Sequence, residues 1–212
     1  MVVFVHGLWM TGAESLILRR RLAPHGYLLR AFRYSSVGES MRHVAARCAQ
    51  FAVALAARHA VPVHFVGHSL GGLLIHRMFE QGECERAGLE VVQTRVVFLG
   101  TPVVPSRSAA RLGSTRLGRW MMGAAAAAEL LHPATRVWHF APPLGLIAGS
   151  SAKGMGRLLV RMQDENDGTV EVAETRLAGA SAHIVLPTTH SGLVISKPVA
   201  EAVIRFLDTG AF

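Results

Sequence analysis

Gly67-His68-Ser69-Leu70-Gly71-Gly72 carries the most specific chemistry in the chain. An apolar run precedes it and a helical pattern follows. The pattern G-x-S-x-G in that setting puts a serine on a sharp strand-to-helix turn. Side chains at Gly67 and Gly71 would collide across such a turn, and the turn lifts the Ser69 hydroxyl above the sheet edge. The helix that follows aims its N-terminal N–H groups at the same spot. A bland reading, a tight turn with an incidental serine, stands beside this one until partners are found.

A nucleophilic serine needs a base, and the base needs an orienting acid. There are 11 histidines, so only position discriminates among them. His190, in Thr189-His190-Ser191-Gly192, lies just past the last apolar run, on the rim expected for Ser69. His183 falls at the opposite end of that run. His68 adjoins Ser69 and is expected to point elsewhere. His43, His59 and His76 fall on helical patterns, where a solvated or capping histidine is the usual reading. The acid is expected after the fifth strand, in Asp164-Glu165-Asn166-Asp167-Gly168, with Asp167 preferred and Asp164 as its rival. Acyl transfer also needs two backbone donors where an oxyanion develops. The N–H groups of Leu70 and Leu8 are the candidates, and Gly7 lets that loop approach closely. His6 is expected to bridge loops by hydrogen bonds.

These residues need a scaffold that brings them to one edge. Apolar runs at 2–6, 27–33, 63–66, 95–99, 144–148 and 183–186 read as strands. Helical patterns cover 14–22, 40–59, 70–80 and 199–207. In the second of these Val44, Cys48, Phe51 and Leu55 recur at helical spacing. Strand and helix in alternation imply parallel strands with right-handed crossovers. Near-continuous apolar strands imply that both sheet faces are covered. The expected fold is α/β: one domain, an open and mainly parallel sheet of about six strands, helices on both faces. Such sheets carry their sites at the carboxyl ends of the strands.

The order Ser69, Asp167, His190 is that of one fold, and here the chain resembles the α/β-hydrolase superfamily, close to compact bacterial serine lipases and esterases. The resemblance rests on Val5-His6-Gly7-Leu8, Gly67 to Gly72, Gly100-Thr101-Pro102, Asn166-Asp167-Gly168 and Thr189-His190-Ser191-Gly192. Relatives usually begin with one or two further strands, so the resemblance implies a minimal version of the fold lacking the first strands. It implies an acyl-serine mechanism on carboxylic esters of apolar acids. Thioesterase, amidase or acyltransferase chemistry would use the same groups. A non-catalytic protein of this fold, binding an apolar ligand or partner, is the alternative from another class.

Segment 103–143 occupies the place where such proteins insert a lid. Leu117 and Met121 fall on one helical face of it and Arg116 and Arg119 on another, which suits either an acyl-pocket cover or an ordinary packed helix. A basic amphipathic stretch also suits peripheral contact with anionic lipid. Trp9 and Met10 are candidate pocket walls, with core packing as the equal alternative. The expected partner is thus a small acyl ester or lipid.

Composition narrows the rest. Of the 212 residues, 17% are charged and 50% hydrophobic, which excludes disorder. Net charge is +8, and all but Lys153 and Lys197 of the 22 basic residues are arginine. They are scattered apart from Arg19-Arg20-Arg21, with no nucleic-acid module around them, so nucleic acid is not an expected partner. Cys48 reads as a small buried hydrophobe rather than half of a disulfide. No cofactor and no metal are expected: the acidic turn has Gly168 where a calcium loop needs an oxygen ligand, and no zinc-ligand spacing occurs. Apolar stretches are too short to span a bilayer and no leader is recognised, so the expected location is cytoplasmic.

Overall fold

In the computed structural model, residues 1–104, 127, 130, 136–152 and 164–212 are described. Six strands form one sheet: β1 Val2–Val5, β2 Leu29–Phe32, β3 His64–His68, β4 Val96–Leu99, β5 Leu144–Gly149 and β6 Ala182–Leu186. Their spatial order is β2-β1-β3-β4-β5-β6, and each neighbouring pair is parallel. The chain therefore runs outward from β1 to β2, crosses back to β3 and proceeds to the other edge. The reversal lies between β1 and β3, where an α/β sheet opens a crevice at the carboxyl ends of its strands.

Alternation along each strand divides the core in two. Val3, Val5, Phe65, Phe98 and Leu146 face a cluster shared with helices α2 (Met41–His59), α3 (Leu70–Glu80) and α4 (Glu83–Ala87). Val2, Phe4, Val66, Val97 and Ile147 face α1 (Leu16–Leu22) and α5 (Lys197–Thr209). Every residue of β1, β3, β4 and β5 is buried, as two covered faces require. Edge strand β6 is half-buried throughout. Cys48 is a fully buried free thiol of the α2 face.

The expected strands are present, with ends shifted by up to two residues. Helix α4 was not expected. It has five residues between Gly82 and Gly88, both at positive φ, too short for a period to register. The first expected helix opens as a 3-10 turn, Ala13–Ser15. His76 departs from its reading as a solvated or capping residue. It is buried, its ring packs against Trp138 and Phe140, and Nε2 lies 3.3 Å from the Val137 carbonyl oxygen.

Most of segment 103–143, including Leu117 and Met121, lies outside the described residues. Val103, Leu130 and Trp138 belong to the core on the α2 face. Trp138 donates from Nε1 to the Pro142 carbonyl oxygen at 2.7 Å and sits among Phe79, Phe98 and Phe140.

Candidate active site

Ser69 stands between β3 and α3 with φ 54° and ψ −122°. A non-glycine residue there is strained, and the surroundings must over-determine it. They do so through close packing. A Cβ on Gly67 would lie 2.6 Å from Gly72 Cα, across the turn. At Gly71 the obstacle is different from the one expected: its Cβ would lie 2.1 Å from the Val5 carbonyl oxygen and 2.7 Å from that of His6. Helix α3 thus starts in direct contact with the end of β1. The Ser69 N–H also donates to the Leu99 carbonyl oxygen at 2.9 Å, so the turn is tied to β4.

Gly7 follows β1 and closes on the same point. A Cβ there would lie 3.1 Å from Ser69 Cβ. The loop bearing Leu8 therefore abuts the Ser69 turn. Leu70 opens α3, where first-turn N–H groups have no acceptor within the helix. His6 holds this loop differently from expectation. Its ring stacks on Tyr34 at 4.3 Å, and its carbonyl oxygen accepts from the Tyr34 hydroxyl at 2.8 Å. Among the described residues the ring Nδ1 meets the adjacent Gly7 carbonyl oxygen, at 2.9 Å.

Asp167 and His190 meet at the ends of β4 and β5. His190 Nδ1 donates to Asp167 Oδ2 at 2.7 Å, and the His190 N–H donates to the Asp167 carbonyl oxygen at 2.9 Å. Asp167 is 1% exposed, whereas Asp164 is exposed. The other Asp167 oxygen, Oδ1, accepts from the N–H groups of Thr169 at 2.9 Å and Val170 at 2.7 Å. Asn166 Oδ1 accepts from the Gly168 N–H, and Gly168 takes φ 92°. The Asn-Asp-Gly sequence thus folds into a tight turn that fixes the carboxylate before His190 reaches it.

Two glycines make room for the pair, and sequence reasoning gave neither of them this role. Gly100, at φ 55°, ends β4, and a Cβ there would lie 3.1 Å from both Asp167 Oδ2 and His190 Nδ1. Gly149 ends β5, and its Cβ would lie 2.7 Å from Asp167 Cβ. Gly100 was legible as part of Gly-Thr-Pro; Gly149 left no signal beyond a glycine at a strand end. His68 also departs from expectation, since its ring lies 4.8 Å from the His190 ring and its Nε2 is 3.0 Å from the His190 carbonyl oxygen. His183, at the other rim, has Nε2 2.9 Å from Thr175 Oγ1.

Ser69, Asp167 and His190 thus gather at the carboxyl ends of β3, β4 and β5. Among the described residues no hydrogen bond links Ser69 Oγ to the His190 ring. Such bonds often tighten only once substrate is bound. Trp9 stands at the rim with φ 58° and 55% exposure, which removes core packing as its explanation. Met10 is partly buried. Among the described residues no three His, Cys, Asp or Glu side chains cluster as metal ligands would, and no helix is long and apolar enough to cross a membrane. Chemically, a buried carboxylate holding an imidazole Nδ1–H leaves Nε2 as a proton acceptor.

The profile of the alpha/beta hydrolase family matches residues 2–203, and the chain belongs to that family. Among solved structures, the mature Bacillus licheniformis lipase BlEst2 superimposes with a TM-score of 0.80 at 19% identity, over 97% of this chain and 91% of that one. Phospholipase PlaB from Legionella pneumophila gives 0.75 at 18% identity, over 100% of this chain and 60% of that one. The RedJ thioesterase of the prodiginine pathway in Streptomyces coelicolor gives 0.55 at 15%, over 98% and 85%. At these identities the likeness is one of fold. No curated protein matches the chain.

Proposed function

We propose that the protein is a serine hydrolase that cleaves carboxylic esters of apolar acids through an acyl-Ser69 intermediate. His190 takes the Ser69 proton as the hydroxyl attacks the ester carbonyl. The tetrahedral oxyanion is held by the N–H groups of Leu8 and Leu70. His190 returns the proton to the leaving alcohol, and water then releases the acid by the same path. Asp167 holds the imidazole tautomer and stabilises the imidazolium. The observation that carries the reading is the 2.7 Å bond from His190 to a buried Asp167 on the sheet edge that presents the strained Ser69. Exposed Trp9 and partly buried Met10, beside the oxyanion loop, support an apolar acyl group, and Leu117 and Met121 extend that wall on sequence grounds alone.

The test is labelling with a fluorophosphonate probe, followed by peptide mapping, and a panel of esters and thioesters of graded chain length. The expected result is a single adduct on Ser69 and turnover that favours apolar acyl groups. A properly folded protein that takes no label and hydrolyses nothing would return the chain to the non-catalytic class. Preference for thioesters over esters would move the substrate class but keep the mechanism.

A further inference from the structure

His68 immediately precedes Ser69, and the mechanism above leaves it unused. His68 closes β3, one position past Gly67, which pairs with Val5 of β1. His68 is fully buried there. Its Nε2 lies 3.0 Å from the His190 carbonyl oxygen. A carbonyl can only accept, so Nε2 carries the hydrogen and Nδ1 is a bare lone pair. That Nδ1 is buried with no hydrogen-bond partner among the described residues. Burial pushes the ring down to about 3, with the neighbouring His190 ring acting in the same sense. At neutral pH the side chain is a neutral donor of one fixed tautomer.

The other holds on His190 come from its own side of the site. Its N–H and Nδ1 go to Asp167, and its carbonyl oxygen also accepts from the Leu193 N–H at 3.4 Å, within the turn that follows. Among the described residues, the hydrogen bond that joins His190 to the strand bearing Ser69 comes from His68. We infer that His68 is a positioning residue: its Nε2–H anchors the His190 main chain to β3 and so sets the distance between base and nucleophile. The inference rests on Ser69 and His190 acting as nucleophile and base. Asp167 fixes how the imidazole is turned; His68 fixes how far it stands from the hydroxyl. A catalytic geometry is sensitive to shifts of about 1 Å, and the ring contact at 4.8 Å transmits any displacement of one histidine to the other.

The experiment compares His68→Leu with His68→Gln, whose amide can still donate to the carbonyl. The readouts are kcat and KM on a short ester, the rate of Ser69 labelling by fluorophosphonate, Tm, and the low-field proton signal of His190 Nδ1–H. His68→Leu is expected to lower kcat and labelling about tenfold to a hundredfold with KM little changed. Tm should change little, because the His190 carbonyl oxygen keeps its bond from the Leu193 N–H. His68→Gln should recover most of the lost kcat. Wild-type kcat in His68→Leu would overturn the inference. So would a loss of kcat that follows Tm and is not relieved by glutamine, since that is plain packing. Should the wild type neither label nor turn over ester, the hydrolase reading has failed. The low-field signal then decides for His68: broadening in the leucine variant supports the anchor, and an unchanged signal refutes it.

Discussion

Asp167→Asn separates orientation from charge with almost no change in shape. Oδ1 of the native side chain accepts from two N–H groups, of Thr169 and Val170, at 2.9 and 2.7 Å. The asparagine must keep its oxygen there. Turning the amide would set an NH2 against these two N–H donors, of which that of Val170 is buried, leaving each without its acceptor at up to about 1–3 kcal/mol apiece. The amide nitrogen therefore faces His190 across the 2.7 Å contact. It donates to Nδ1, which drives the imidazole hydrogen to Nε2. An Nε2–H cannot accept the Ser69 proton. The productive tautomer then lies about 2–6 kcal/mol higher, and at about 1.4 kcal/mol per decade kcat falls on the order of 30- to 10⁴-fold. The assay is steady-state hydrolysis of a short ester, with Tm measured on the same preparation. Asp164→Asn serves as the control and should stay close to wild type, because Asp164 is exposed. A folded Asp167→Asn protein within about threefold of wild-type kcat would refute the tautomer argument.

Ser69→Ala should abolish fluorophosphonate labelling and lower kcat by orders of magnitude, with the circular dichroism spectrum unchanged; comparable ester turnover in that variant would remove Ser69 from the mechanism. Gly71→Ala should fail to reach the native state at 37 °C, because its Cβ would sit 2.1 Å from the Val5 carbonyl oxygen, and soluble yield and Tm report this. The pH dependence of stability follows from two buried histidines. Burial pushes His64 down to about 4 and His68 to about 3, so below the ordinary value of 6.5 the unfolded chain takes up protons that the folded chain refuses. Their contribution is complete above pH 6.5 and is lost as pH falls toward 4, each with a slope of up to about 1.4 kcal/mol per pH unit. Urea unfolding between pH 7 and 5 checks this, and His64→Gln should flatten the curve.

The sheet was legible because its strands are short apolar runs bounded by Gly, Pro and polar turns. That pattern needs no tertiary information. Helix α2 was legible for the same reason, with Val44, Cys48 and Leu55 on one face. Asp167 was preferred over Asp164 from turn chemistry alone, since Asn-Asp-Gly folds locally. The histidines were harder. His76 and His68 are buried by partners far along the chain, Trp138 and Phe140 for one and His190 for the other, and no local pattern encodes such a partner. Gly149 has the same difficulty: it is needed because Asp167, 18 positions later, folds against it. Trp9 was readable as pocket wall or as core, because an apolar residue after a strand is usually core; its positive φ and 55% exposure leave the first reading.

The amide hydrogen of Ser69 lies inside the sheet, donating to Leu99, and the helix it opens presses on the last carbonyl groups of β1. Amide exchange at Ser69 should therefore proceed only through global opening, at the slow end of the whole chain. Loops that bind substrate are usually drawn from the weakest parts of a protein. Ser69, the proposed nucleophile, is instead tied by its backbone into the buried sheet. Its working lifetime in a warm or denaturing medium is then set by the unfolding rate of the entire domain, and a stabilising substitution far from the site would lengthen that lifetime directly.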